Sequence, residues 1–141
     1  MEVIVSKDLK FFKCGICGNI AELIEDSGVR MVCCDQNMTL LVANTVEASI
    51  EKHIPAITKM DTCVCGSGDC ASSIKVQIGS VIHPMTADHH ILFVVLETEN
   101  GAKRRMLDVG AEPIVTFCCC DDKAIAAYAY CNLHGLWKAD V

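Results

Sequence analysis

Apolar and polar residues alternate most cleanly at Ile74, Val76 and Ile78, which are separated by Lys75 and Gln77. A period of two is the mark of a half-buried strand. Ile91 to Thr98 is more continuously apolar and rich in β-branched residues, as a central strand requires. Lys103 to Val109, Ile114 to Cys119 and Ile125 to Cys131 continue the series, punctuated by Asn100-Gly101, Gly110 to Pro113 and Asp121-Asp122. Strands at this spacing predict an antiparallel β-sandwich. Upstream, Ile20 to Glu25 and Val29 to Cys33 read as two short strands joined at Ser27-Gly28, and Asn44 to Lys52 can form a short helical turn. Thr62 to Ser73, with Gly66, Ser67 and Gly68 among three cysteines, reads as a flexible insertion.

The chain has 141 residues, enough for a small module attached to a domain of about 100 residues. We place the junction within residues 39 to 46, giving units 1–42 and 43–141. The first has too few large apolar residues to fold without a staple, and a bound metal would supply one. No apolar run approaches membrane-spanning length and the start carries no signal-like stretch, so a cytoplasmic protein with no membrane partner is expected.

Charge excludes one class of partner. The net charge of -6 divides into -3 over residues 1–50 and -3 over residues 51–141, with no basic tail or stripe, so nucleic acid is not an expected partner. An anionic substrate would need a local positive site to draw it in. The eleven cysteines are an odd number, which fits a secreted disulfide framework poorly and metal ligation well.

Cys14-Gly15-Ile16-Cys17 puts two thiolates on one tight turn, and Cys33-Cys34 adds two more. Four thiolates make a tetrahedral sulfur site for zinc or a single iron, and spacing alone favours zinc as the commoner occupant. An adjacent cysteine pair is unusual and is expected to distort the tetrahedron. The histidines fall in short motifs: Glu51-Lys52-His53-Ile54-Pro55, His83-Pro84-Met85 followed by His89-His90, and Cys131-Asn132-Leu133-His134-Gly135. Cys131-x2-His134 has metal-ligand spacing, and Pro55 and Pro84 stiffen the backbone beside their histidines. Sequence separation alone leaves open whether these residues converge.

Taken together, Cys14-x2-Cys17, Cys33-Cys34, Glu51-Lys52-His53, His83-Pro84-Met85, His89 and Cys131-Asn132-Leu133-His134-Gly135 with Trp137-Lys138 resemble desulfoferrodoxin, the two-iron class of superoxide reductase. The match runs from about Lys13 to Lys138. It implies a mainly β chain, a small desulforedoxin-like metal domain followed by an immunoglobulin-like antiparallel β-sandwich. It also implies two iron ions: one held by Cys14, Cys17, Cys33 and Cys34, the other by His53, His83, His89 and His134 with Cys131 as axial thiolate.

The activity implied is one-electron reduction of superoxide to hydrogen peroxide, with an external donor such as rubredoxin restoring the iron, and the family form is a homodimer. Five ligands leave a sixth position for the anion, and a thiolate opposite it pushes electron density through the metal. Lys52 would steer superoxide and organise water for proton delivery, and Glu51 would bind the more positive ferric ion after product leaves.

Three features depart from the family pattern. The loop Cys63-x-Cys65-x4-Cys70 is longer and richer in cysteine; free thiols are the plain reading, an extra metal or a redox disulfide the functional ones. Cys118-Cys119-Cys120 lies on a predicted strand and is read as packing. His90 stands where the family has tryptophan; spacing from His83 selects His89 as the ligand. Trp137 is read as core packing. Two rivals remain: a non-catalytic iron- or zinc-binding electron-transfer or adaptor module, and a thiol-redox protein working through Cys63, Cys65 and Cys70.

Overall fold

A computed structural model describes residues 6–63, 72–119 and 122–141. The chain divides into two compact units, Lys7–Val42 and Ala43–Val141, and Ser6 belongs to the larger one.

In the smaller unit β1 (Lys10–Lys13) pairs antiparallel with β2 (Ile20–Leu23) and β5 (Thr39–Leu40). A separate two-residue ladder joins β3 (Val32–Cys33) to β4 (Gln36–Asn37). Phe11 and Cys14 are the only residues buried among its apolar set. So small a core cannot offset the ordering of some 36 residues, and a metal cross-link has to help. The expected strand from Val29 shortens to Val32–Cys33, because the next two residues turn the chain back.

Just inside the 43–141 segment of the larger unit lies Asn44, whose positive φ of 62° suits asparagine. Asn44 exchanges two hydrogen bonds with the backbone of Lys138, at 3.0 and 2.9 Å, and so pins the entry segment. One helical turn, α1 (Ile50–His53), lies further along than the predicted one and ends before Pro55, which disfavours helix at its predecessor. The strands are β6 (Pro55–Met60), β7 (Ser73–Ile78), β8 (Ile91–Thr98), β9 (Gly101–Met106), β10 (Ile114–Cys118), β11 (Ala124–Cys131) and β12 (Gly135–Asp140).

They form two antiparallel sheets, β10-β7-β6 and β12-β11-β8-β9. Ile74, Val76 and Ile78 from the first sheet and Val94, Leu96, Ala127 and Ala129 from the second meet in one buried core. The fold is the expected mainly β sandwich. The third strand expected after Asn100-Gly101 starts at Gly101 and stops at Met106; all six of its residues are exposed, since it is a sheet edge. Cys119 lies past the end of β10, buried in the core, and Cys118 is half-buried, so packing accounts for the former. Cys65, Cys70 and Cys120 lie outside the described residues.

Candidate metal centres

The antiparallel ladders bring several strand ends to one edge of the sandwich. His53 ends α1 just before β6, His83 follows β7, His89 precedes β8, Cys131 ends β11, and His134 precedes β12. A bulge finishes the alignment: Tyr130 pairs with Phe93 but Cys131 pairs with Ile91, so Leu92 is an extra residue in β8. That residue reverses the side-chain parity, and it lets both Ile91 and Cys131 face the core beside the approaching His89 loop. The hairpin between β11 and β12 has three loop residues, Asn132 to His134, closed by Gly135 at φ 79°. This geometry is why the Cys-x2-His spacing places both donors on one side.

The four imidazoles stand in a square. Centroids around its edge, His53–His83–His89–His134 and back, are separated by 4.7, 4.5, 5.0 and 4.8 Å, with adjacent rings inclined at 75–89°. The diagonal His53–His89 is 6.1 Å, with rings only 33° apart. Nε2 of His53 lies 3.0 Å from Nδ1 of His134 and 3.2 Å from Nε2 of His83. Nitrogens about 2.1 Å from a common ion, at right angles to one another, would be separated by about 3.0 Å. Sγ of Cys131 lies 3.8 Å from Nδ1 of His134, and the donors of His53, His89, Cys131 and His134 all fall within 4.8 Å of one another.

Hydrogen bonding fixes which atoms point inward. Nδ1 of His53 donates to the Ser49 carbonyl at 2.7 Å, and Nδ1 of His83 to the Pro84 carbonyl at 2.6 Å. In the neutral rings the protons therefore sit on Nδ1 and both Nε2 atoms carry lone pairs. Burial lowers the pKa of His83 to about 4, against an ordinary 6.5, and burial also lowers those of His53 and His89. Two lone pairs facing each other at 3.2 Å repel unless a cation lies between them. The buried Nε2 of His89 meets no hydrogen-bond partner among the described residues. These donors fit a metal ion, and the backbone carbonyls orient them as such sites require.

His89, not His90, faces the cluster. Nδ1 of His90 is engaged with the Thr86 carbonyl at 2.9 Å. Asn132 latches this loop: its Oδ1 accepts from the His90 backbone at 2.8 Å, and its Nδ2 donates to the Asp88 carbonyl at 2.9 Å. Trp137 is buried, as core packing predicts, and it also stacks on His53 (4.8 Å between centroids, 29°) and donates from Nε1 to the His134 carbonyl at 3.1 Å. Sequence reasoning missed Asn132, Ser49 and this second role of Trp137; strand pairing would have pointed to Trp137, which lies opposite Ala129. Glu51 and Lys52 are exposed on the outer face of α1 while His53 is buried on the inner. After burial, the Lys52 charge is among the causes lowering both His53 and His89.

In the smaller unit the donors of Cys14, Cys17, Cys33 and Cys34 lie within 4.8 Å of one another. Cys17 and Cys33 sulfurs are 3.5 Å apart, and those of Cys33 and Cys34 are 4.0 Å apart. Sulfurs about 2.3 Å from a tetrahedral ion would be separated by about 3.8 Å. The adjacent pair is explained by the β3–β4 turn, where Cys34 and Asp35 have φ of 53° and 59°. Two left-handed residues make a tight hairpin that swings Cys34 back beside Cys33. The Cys14 thiol is lowered to about 6 by backbone N–H groups of Cys17 and Ile16, while Cys33 is pushed up to about 12 because its S–H is held as a donor towards the sulfurs of Cys17 and Cys14. Such a set cannot ionise fully without a cation, which is the behaviour of a thiolate metal site.

Comparison with known proteins agrees with this geometry. Residues 45–140 match the family model for Desulfoferrodoxin and residues 6–41 that for Desulfoferrodoxin, N-terminal domain. Desulfoferrodoxin from Desulfarculus baarsii is 37% identical over 132 residues, covering 94% of this chain and 96% of that protein. That of Nitratidesulfovibrio vulgaris is 37% identical, covering 93% and 95%. The crystal structure of the superoxide reductase from Treponema pallidum superposes with a TM-score of 0.71 at 34% identity, covering 94% of this chain and 99% of that one. The chain belongs to the desulfoferrodoxin family, and its four-cysteine and histidine–cysteine groups match the two iron centres of that family.

Proposed function

We propose that the chain is a superoxide reductase, converting superoxide to hydrogen peroxide at a mononuclear non-haem iron. The observation that carries this reading is the square of four imidazoles with the Cys131 thiol close to one of its corners. His53, His83, His89, His134 and the buried Cys131 would hold the iron. Bound there, ferrous iron supplies the electron, and the thiolate raises its electron-donating power.

The chain's own residues do the rest. Neutral imidazoles leave the centre positively charged, so it attracts an anion although the chain is acidic. Lys52, on the exposed side of α1, adds a positive charge that steers superoxide and orders water for protonation of the product. Glu51 beside it is an exposed carboxylate that would be available to bind the iron. Cys14, Cys17, Cys33 and Cys34 would hold the second iron. A one-electron donor such as rubredoxin would return the catalytic iron to its ferrous form. We also propose a cytoplasmic homodimer, in keeping with the family; no helix among the described residues is long and apolar enough to cross a membrane.

The reading of a non-catalytic metal module finds no supporting observation, since incidental histidines have no reason to form a square. Stopped-flow mixing of reduced protein with superoxide tests the enzyme directly. A fast second-order reaction is expected. It should slow in Lys52→Ala, most at low ionic strength, and vanish in Cys131→Ala together with the thiolate-to-iron absorption. Equal rates in all three proteins would reject the activity.

A further inference from the structure

The turn that carries Glu51 and Lys52 lies against the backbone of Gly79, at the end of β7. A Cβ placed on Gly79 would stand 2.5 Å from the Glu51 carbonyl oxygen, 2.8 Å from the Lys52 carbonyl carbon and 3.0 Å from the Ile54 oxygen. All three are backbone atoms, so no side chain can swing away to make room. Gly79 does not have a left-handed φ, so conformation alone does not demand glycine there. At such a position alanine ordinarily stabilises a protein by restricting its unfolded chain. Close approach is therefore what requires the bare backbone.

Hydrogen bonds make this contact part of a larger seat. The Glu51 carbonyl accepts from the Val81 N–H at 3.0 Å and from Ser80 Oγ at 3.3 Å. The seat itself is held from behind: Gln77 Nε2 donates to the Gly79 carbonyl at 2.8 Å, and the His83 N–H to the Ile78 carbonyl at 2.8 Å. The loop from Gly79 to His83 thus runs from the contact under Lys52 to one of the four imidazoles. The backbone under Lys52 is consequently fixed relative to the donor square.

We propose that Gly79 is a positioning residue for Lys52, setting the distance between the ammonium and the approaching anion by letting the Glu51–Lys52 backbone rest directly on the 79–83 loop. The inference relies on Lys52 acting as the steering charge. Gly79→Ala must lift the 51–54 backbone away from its seat, which displaces the charge while leaving all five donor side chains chemically intact.

The test uses the full iron-loaded protein. Gly79→Ala should retain the thiolate-to-iron absorption but react with superoxide about tenfold more slowly at low salt, with a flatter dependence on ionic strength. Lys52→Ala/Gly79→Ala should be no slower than Lys52→Ala alone. Independently of turnover, amide hydrogen exchange should accelerate in residues 50–54 and at Val81. An unchanged rate and salt slope, or losses that multiply in the double variant, would overturn the proposal. So would loss of the absorption, since that would make Gly79 a determinant of site assembly.

Should Gly79→Ala fail to fold, Ser80→Ala adds no atom and removes one bond to the Glu51 carbonyl. A fall of about twofold with the same flattening is expected, and no change in either would refute the seat. Failure of the unmodified protein to reduce superoxide sinks the activity itself, whereas a fast unmodified protein with an equally fast, equally salt-sensitive Gly79→Ala sinks only this inference.

Discussion

His83 illustrates how one buried ring links folding to acidity. Its pKa falls to about 4 from an ordinary 6.5 because burial disfavours the charged form. The unfolded chain therefore binds more protons than the folded one between those values, so stability rises with pH across the window. His53 and His89 are lowered in the same direction, also first by burial. We predict that the metal-free protein keeps its full stability above about pH 6.5 and loses it progressively towards pH 4, as denaturant titrations at several pH values would measure. His83→Gln should flatten that dependence.

Trp137 belongs to the same scale. Trp137→Phe keeps the apolar ring but removes the N–H donated to the His134 carbonyl. A loss of about 1 kcal/mol in stability is expected. Because that bond holds the loop bearing His134, iron should also leave to a chelator at least about tenfold faster, with the bound spectrum nearly unchanged. Short motifs draw attention to His53, His83, Cys131 and His134, but it is the resemblance to desulfoferrodoxin that implies these four and His89 as one ligand set, because spacing alone leaves their convergence open. Trp137, Asn132 and Gly79 are less legible, because their roles are contacts between segments far apart in the chain.

Among the elements, β8 is the most readable, since Ile91 to Leu96 is an unbroken apolar run. By contrast β1, β6 and β12 are not foreshadowed by their residues. Lys10–Lys13 has only two apolar residues, Pro55–Met60 opens on proline, and Gly135–Asp140 on glycine; each is a strand because its neighbours supply ladder partners. The extra residue at Leu92 is equally hidden, because a bulge is defined by pairing rather than by pattern. At the core, Leu96 is fully buried on β8. Leu96→Ala should cost about 2–5 kcal/mol in chemical denaturation while leaving iron absorption intact, because the side chain packs in the core at a distance from the donor edge. The exposed β9 carries Lys103, Arg104 and Arg105, charges that discourage edge-to-edge pairing with another sheet.

At the scale of the whole molecule, the chain holds two units with separate donor sets. All histidine–cysteine donors come from residues 53 to 134, and none from Lys7–Val42. Cys14→Ser/Cys17→Ser should therefore abolish the absorption of the four-sulfur iron while changing the single-turnover rate with superoxide by less than about twofold, as stopped-flow would read.

The donor square has a further consequence. Its corners are drawn from loops spread over more than half the chain, so an ion seated there ties together segments that the unfolded polypeptide would hold far apart. A ligand bound by the folded state alone raises apparent stability in proportion to the logarithm of its free concentration, by about 2.7 kcal/mol at one hundred times its dissociation constant. The midpoint of thermal unfolding of residues 43–141 would thus track the ferrous ion available in the surroundings. Under iron scarcity the same polypeptide, with no change in sequence, would unfold more often and so become easier to degrade.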